Sequence, residues 1–295
     1  MADNTSETFK QYQGLLFSIA YRMLGSAADA EDIVQEAYVR WIKVNEEEVL
    51  SPRAYLSAVV VRLCIDHLRS AQRQREVYIG PWLPEPIPTA QQPHLVDTAI
   101  LAESLSFAFL IMLESLSPLE RAVFLLREVF DYDYAEIATI VGKRASNCRQ
   151  ILHRARQHLG NGRSRFDVPC GQQERITEQF LRASTSGDMQ GLLDLLTDDI
   201  VFVADSGGKA KTSRQPVHGK DKVARGLLGG LRGLPAQSRV VIEEINAQPA
   251  IVGYVAGKPF GVMLLDIAGG RVRAVYAVVN PDKLQWLEKQ HDIRR

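Results

Sequence analysis

The chain has 295 residues, 35 basic and 35 acidic, and is 46% hydrophobic and 24% charged. That length allows about two domains, and the neutral total excludes a wholesale polycation while leaving local basic patches open. No apolar run approaches the ~18 residues of a membrane span, and the polar start MADNTSETFKQ has no signal-peptide core, so a cytoplasmic protein is expected. The first block, to about residue 75, reads as helical. Asp29 is placed to cap a helix with Glu31 and Asp32 in its first turn. Ile33, Val34, Ala37, Tyr38, Trp41 and Ile42 then recur at helical spacing as a core stripe. Asp32, Gln35, Glu36 and Arg40 fall on the other face, which is either simply solvated or a docking face for a basic partner. A second helix opens at Ser51-Pro52-Arg53, with the proline suited to the first turn. Its second half carries Arg62, Asp66, His67, Arg69, Arg73 and Arg75. Arginines there either complement the helix dipole or grip phosphates.

Residues 78–93 contain Pro81, Pro84, Pro86, Pro88 and Pro93. So many prolines exclude a helix or a central strand and predict an extended linker. Helical periodicity returns from about residue 97 to 161. A start at Leu116-Ser-Pro-Leu-Glu-Arg121 is followed by Tyr134-Ala-Glu-Ile-Ala-Thr-Ile-Val-Gly142 and a basic helix to Leu159. The spacing fits a helix-turn-helix, with small Ala138 where the helices cross and Gly142 at the turn; an ordinary helical hairpin is the alternative. Cys148, Ile151, Leu152, Ala155 and Leu159 form the inner stripe of the last helix. Asn147, Arg149, Gln150, His153 and Arg154 lie opposite, and are residue types that read base edges and phosphates. Residues 143–165 hold seven basic residues and no acid, as a nucleic-acid contact requires. Cys64, Cys148 and Cys170 are far apart, with no C-x-x-C pair, so they read as small buried hydrophobes with no metal site or disulfide.

A Gly/Ser/Arg stretch at 160–164 ends the helical half. Beyond it, helices at 174–184, from 188 and at 220–231 accompany strands at 199–204, 240–245, 251–256, 260–267 and 272–279, with a Gly269-Gly270 hairpin turn. This order predicts an α+β domain of helices packed on a curved antiparallel sheet. Asp205, His218 and Asp266 are the acid/base candidates. No spacing forces any of them into a buried site: Asp205 precedes Gly207-Gly208 and is equally a turn residue, and His218 sits in an apparent loop. No catalytic residue, metal ligand or cofactor is assigned.

The segments YRMLGSAADAEDIVQEAYVRW, SPRAYLSAVVVRLCIDHLRSAQRQRE and LSPLERAVFLLREVFDYDYAEIATIVG followed by NCRQILHRARQHL together resemble an extracytoplasmic-function sigma factor of RNA polymerase. The first two resemble its sigma-2 domain and the third its sigma-4 helix-turn-helix domain. WLPEP (82–86), DSGGK (205–209) and NPDKL (280–284) are similar to the SigJ-like group, in which the sigma domains are fused to a SnoaL-like domain; that group usually carries Gly where Ser206 stands. The resemblance implies a multidomain chain: an all-α sigma-2 domain at 1–76, a Pro-rich linker at 77–97, an all-α sigma-4 domain at 98–161, a second linker at 162–172 and an α+β SnoaL-like cone at 173–295. It implies that the partners are the polymerase core, through the β′ clamp helices and the β subunit, and promoter DNA, with no membrane and with room in the cone for a small-molecule ligand. By the resemblance, Asp32, Gln35 and Glu36 dock on the β′ clamp helices. Arg62, His67, Arg69 and Arg73 belong to the part that reads and melts the −10 element, and the loop 44–50 captures a flipped base. Asn147, Arg149, Gln150, His153 and Arg154 lie in the −35 major groove. The recognition helix of the family often begins at a capping Ser, where this chain has Arg144. Trp82, Leu83, Pro84, Asp205, Gly207, Gly208, Lys209, Asn280, Pro281 and Asp282 become interdomain or regulatory residues, through contacts of the linker with the cone. The rival readings are a ligand-responsive helix-turn-helix regulator, or a SnoaL-like cyclase or isomerase.

Overall fold

The computed structural model describes residues 2–45, 48–75, 78–91, 95–96, 98–160, 170–235 and 237–292. The chain divides into two units: one of Met1–Val77, Gln92–Leu105 and Phe109–Gly162, the other of Tyr78–Gln91, Ser106–Ala108 and Arg163–Arg295. Residues 78–91 of the Pro-rich segment are therefore part of the C-terminal unit, and both helical blocks, apart from residues 106–108, belong to one body.

In the helical unit, α1 (Ala2–Leu24), α2 (Ala27–Trp41) and α3 (Pro52–Arg75) pack on one another. Trp41 and Tyr21 are fully buried, and the Trp41 ring lies 5.7 Å from that of Tyr55. Burial of each such side chain stabilises the unit by about 2–3 kcal/mol. The helix cap differs from expectation. Ser26, not Asp29, caps α2, its hydroxyl accepting from the Asp29 N–H at 3.1 Å. Gly25, at φ 68°, turns the chain out of α1 and leaves Ser26 in the extended conformation a cap needs. The second block comprises α4 (Ala99–Glu103), α5 (Phe107–Leu113), α6 (Pro118–Glu128), α7 (Tyr134–Val141) and α8 (Ala145–Leu159). Capping boxes start α6 (Ser117 with Glu120) and α7 (Asp133 with Glu136), each satisfying two otherwise unpaired N–H groups.

The two blocks are joined by buried polar contacts. Arg22, 1% exposed, donates to Ser104 Oγ at 2.7 Å and to the carbonyls of Ser18, Leu95 and Leu101 at 3.1, 3.0 and 2.7 Å. Burial lowers its guanidinium pKa to about 9, so it remains charged at neutral pH. Ser57 on α3 shares a 2.7 Å hydrogen bond with Tyr132, and the Arg53 guanidinium lies 4.3 Å above the Tyr132 ring.

The C-terminal unit has α9 (Cys170–Ser186), α10 (Met189–Leu195), β1 (Leu196–Asp205), β2 (Val217–His218), α11 (Lys220–Arg232), β3 (Ser238–Ile245), β4 (Gln248–Val255), β5 (Lys258–Ala268), β6 (Arg271–Val278) and α12 (Pro281–Asp292). Its core includes Phe180, Leu192, Ile200, Leu227, Ile251, Leu265 and Val275. The sheet order is β2-β1-β6-β5-β4-β3. Every pairing is antiparallel, as expected, except β1 with β6, which is parallel. A parallel neighbour needs a long crossover, and everything from β2 to β5 supplies it. His218 lies in the short strand β2, opposite Val201, rather than in a loop. A two-residue pairing of Val and His is too short to leave an alternation in the sequence.

Residues 78–91 run along this unit as an extended arm ending in a 3-10 turn, Thr89–Gln91. Pro88 forms a bridge to Ile245 at the end of β3. The Ile87 N–H donates to Asn246 Oδ1 at 2.9 Å, and the Asn246 N–H donates back to the Ile87 carbonyl at 2.9 Å. Thr89 Oγ1 donates to Glu244 and accepts from the Ala247 N–H, both at 2.8 Å. The arm thus covers part of an edge strand, which would otherwise present open hydrogen-bonding groups.

Candidate nucleic-acid interface and the docked arm

On α2, Asp32, Gln35 and Glu36 are exposed on the face opposite Ile33, Val34 and Ala37. Glu36 pairs with Arg40 at 2.9 Å, an exposed i,i+4 pair worth a few tenths of a kcal/mol. The α2 face is therefore acidic and held by its own helix.

On α3, Arg62 and Arg69 are exposed. Arg69 lies 3.7 Å from Asp66, and His67 lies 3.5 Å from Asp29. Arg62 is engaged elsewhere: it donates to the carbonyls of Ile140 at 3.1 Å and Thr139 at 3.2 Å. These carbonyls end α7, where the helix dipole favours a cation. The Arg73 side chain, and Glu46 and Glu47 of the 44–50 loop, lie outside the described residues.

The helices α6, α7 and α8 form the helix-turn-helix. Gly142 ends α7 in the left-handed region at φ 64°, with its N–H donating to the Ala138 carbonyl; a Cβ there would be strained. Arg144 stands at the start of α8 without a side-chain cap. Cys148, Ile151, Leu152 and Ala155 are buried against the rest of the unit, and Asn147, Arg149, Gln150, His153 and Arg154 are all exposed on the other side. Arg156, next to this face, bonds Glu128 at 2.5 Å and ties α8 to α6. Arg149 lies 4.8 Å above the Tyr134 ring, a cation–π contact. Arg154 and His158 approach Glu120 at 3.7 and 3.6 Å. Asn147, Gln150 and His153 make no side-chain bond among the described residues. Cys64 and Cys148 are buried and free.

A second constellation lies wholly within the C-terminal unit. Asp205, fully buried, accepts from the Tyr78 hydroxyl at 2.5 Å and the Gly207 N–H at 3.1 Å through Oδ1. Through Oδ2 it accepts from the Leu83 N–H at 2.8 Å and Lys283 Nζ at 2.7 Å. Lys283 also donates to the Leu83 carbonyl and lies 4.0 Å from the centre of the Trp82 ring. Asn280 donates to the Tyr78 hydroxyl at 3.0 Å and accepts from the Asp282 N–H at 3.1 Å. Lys209 pairs with Asp282 at 2.5 Å. Burial, together with the Asp205 carboxylate, pushes the Tyr78 phenol up. The glycines follow from these contacts. Gly207 and Gly208 have φ of 55° and 76°, and a Cβ would meet Asn280 Nδ2 at 2.5 Å and Ile79 Cδ1 at 3.1 Å respectively. A side chain at Gly208 would push against Ile79 of the arm, and one at Gly207 against Asn280 and Tyr78.

The structure thus brings Trp82, Leu83, Asp205, Gly207, Gly208 and Asn280 to one place. Asp282 closes the neighbouring pair with Lys209, and Pro281 opens α12. Sequence reasoning missed Tyr78 and Lys283. Lys283 was inside the NPDKL segment, but nothing in the sequence marked Tyr78. Of the three acid/base candidates, Asp205 is saturated with hydrogen bonds, Asp266 is paired with Arg273 at 2.5 Å and His218 is exposed. Among the described residues no helix is long and apolar enough to cross a membrane.

Residues 8–74 match the family Sigma-70 region 2 and residues 107–159 the family Sigma-70, region 4. The chain is 32% identical over 290 residues to the probable ECF RNA polymerase sigma factor SigI of Mycobacterium tuberculosis (strain ATCC 25618 / H37Rv), covering 98% of this chain and 97% of that protein. The chain therefore belongs to the extracytoplasmic-function sigma factors, initiation factors that bind core RNA polymerase and promoter DNA and are not enzymes on their own. It is 37% identical over 290 residues to the ECF RNA polymerase sigma factor SigJ of the same organism, covering 93% of this chain and 91% of that protein. The crystal structure of Mycobacterium tuberculosis SigJ superposes with a TM-score of 0.76 at 33% identity, over 95% of this chain and 98% of that one. In this chain the sigma-2 and sigma-4 helices are followed by an α+β domain built on a six-stranded sheet.

Proposed function

We propose that this sigma factor, acting in the cytoplasm, reads the −35 element with Asn147, Arg149, Gln150, His153 and Arg154. The −10 element is read and opened with Arg62, His67, Arg69 and Arg73. Asp32, Gln35 and Glu36 dock on the β′ clamp helices, and the helix-turn-helix block engages the β subunit. The C-terminal domain regulates this activity through its hold on the arm that connects the two helical blocks. The observation that carries the reading is the division of α8: four buried residues on one side, and on the other five exposed residues of the types that read a major groove. Arg62 bonded to α7 supports one further point, that −10 reading requires α3 and α7 to part.

The test is run-off transcription with core polymerase on a promoter selected from a random library, using the full chain. Arg149→Ala is expected to lower −35-dependent transcription by about tenfold or more, since a bidentate base contact is worth about 1–3 kcal/mol. Core binding should stay at the parent level. Arg149→Lys should recover little, because the planar fork is lost. Asp32→Arg is expected to do the reverse, weakening core association by about tenfold, with run-off recovered at higher core concentration. Loss of core binding in Arg149→Ala, or unchanged core binding in Asp32→Arg, would remove the assignment of that face.

A further inference from the structure

The C-terminal unit contains a cavity of about 420 Å³ bounded by α11 and by residues of β1, β4 and β5. Its volume lies in the range of about 300–1,000 Å³ typical of small-molecule sites. The walls are mainly apolar, with Phe202, Leu227, Ile251, Phe260, Val262 and Met263 among them. The polar side chains of the lining are those of Lys211, Thr212, Ser213 and Lys222. Both lysines are exposed, so they mark the solvent side, and neither forms an ion pair among the described residues. Among the described residues the lining has no carboxylate, imidazole, thiol or phenol, so these offer no general base and no counter-charge to the lysines.

Glycines form part of the wall. Gly226 and Gly230 lie one turn apart in α11 and both line the cavity. A Cβ at either would meet nothing within 4 Å, and neither has a positive φ. Close packing and backbone conformation therefore do not explain them, although glycine inside a helix is unfavourable. At Gly253 the reverse holds. A Cβ there would come within 2.5 Å of Phe260 Cζ, so glycine lets the tip of that ring settle onto the strand. Three glycines thus line one mainly apolar cavity.

We infer that this cavity binds an apolar small molecule ending in a single anionic group, of the medium-chain fatty-acid type. The tail lies among Phe202, Leu227, Ile251 and Phe260, and the anionic end is met by Lys211 and Lys222. This deepens the regulatory reading of the C-terminal domain, but binding is measured without transcription, so either can fail alone.

The experiment is isothermal titration calorimetry of the full chain with dodecanoate below its micellar concentration, and with dodecanol as the uncharged counterpart. One dodecanoate per chain is expected to bind, and dodecanol more weakly. Gly226→Leu, which fills the cavity from a helical position, should weaken dodecanoate by about tenfold or more without lowering the thermal midpoint. Should that variant be less stable than the parent, Gly230→Ala adds a single methyl to the same wall and should still weaken binding. The double substitution Lys211→Gln with Lys222→Gln should weaken dodecanoate by about tenfold, as two exposed charge contacts allow, and leave dodecanol unchanged. Absence of binding, binding of several molecules insensitive to Gly226→Leu and Gly230→Ala, or dodecanol binding as tightly as dodecanoate would each overturn the inference.

Discussion

Asp205→Ala is expected to destabilise the C-terminal unit by about 3–5 kcal/mol, the range for removing one member of a buried ion pair. Lys283, 6% exposed, would lose its counter-charge while staying enclosed. The Tyr78 hydroxyl and the Leu83 N–H would lose the acceptor they share. An unpaired buried donor costs about 1–3 kcal/mol, so arm and α12 should both loosen. Hydrogen exchange is the suitable readout, because it resolves the unit locally. Exchange at the Leu83 amide should accelerate by about a hundredfold or more, with residues of α7 and α8 unaffected. Replacing the pair together, Asp205→Leu with Lys283→Met, should restore only the part due to the stranded ammonium, since the Tyr78 hydroxyl and the Leu83 N–H still lack their acceptor. Protection of Leu83 unchanged in Asp205→Ala would show that the arm is held by Trp82, Leu83 and Ile87 alone.

Arg22→Met should have the largest effect in the helical unit, about 3 kcal/mol or more, given about 1.5–3 kcal/mol for a hydrogen bond to a charged group. Methionine fills a similar volume but offers nothing to the Leu95 carbonyl or the hydroxyls of Ser18 and Ser104. The Leu101 carbonyl keeps one donor, the Ser104 hydroxyl at 2.8 Å, so the loss falls short of the full set. Arg22→Lys should rescue little, because one ammonium cannot span acceptors on three segments. The measurement is exchange over residues 98–105, which should speed up markedly in both variants. A lysine variant indistinguishable from the parent would show that charge alone, not the planar fork, holds the segment.

Much of the fold was legible because its signals are local. The helix start at Leu116–Arg121, the turn at Gly142 and the Gly269-Gly270 hairpin each lie within a few residues of sequence. The exposed face of α8 followed from helical periodicity alone. What was not legible depends on distant partners. The parallel seam between β1 and β6 leaves no pattern in either strand. Asp205 looked like a turn residue because its Gly207 contact is local, and it is indeed a turn acceptor. Its larger role comes from Tyr78 and Lys283, which approach from opposite ends of the unit's sequence. Arg22 interrupts an apolar stretch, which hints at burial, but its partners near residue 100 could not be read from the helix that carries it.

The arm's partners lie 122 to 202 residues further along the chain, which has a consequence for synthesis. Contacts of such separation form late, and at about 5–20 residues per second the arm would wait roughly 10–40 s for Asn280 and Lys283 to be made. Until Asp205 and Asn246 are made, the Leu83 and Ile87 N–H groups are without their acceptors. In an extended chain, successive N–H groups point to opposite sides. Leu83 and Ile87 direct theirs to Asp205 and Asn246, whereas Pro84, Pro86 and Pro88 alternate with the residues at 83, 85 and 87. The outward side of the arm therefore has no donors there with which to start a sheet with another nascent chain. The same prolines that make the segment look like a spacer keep it from aggregating until the domain that receives it has been translated.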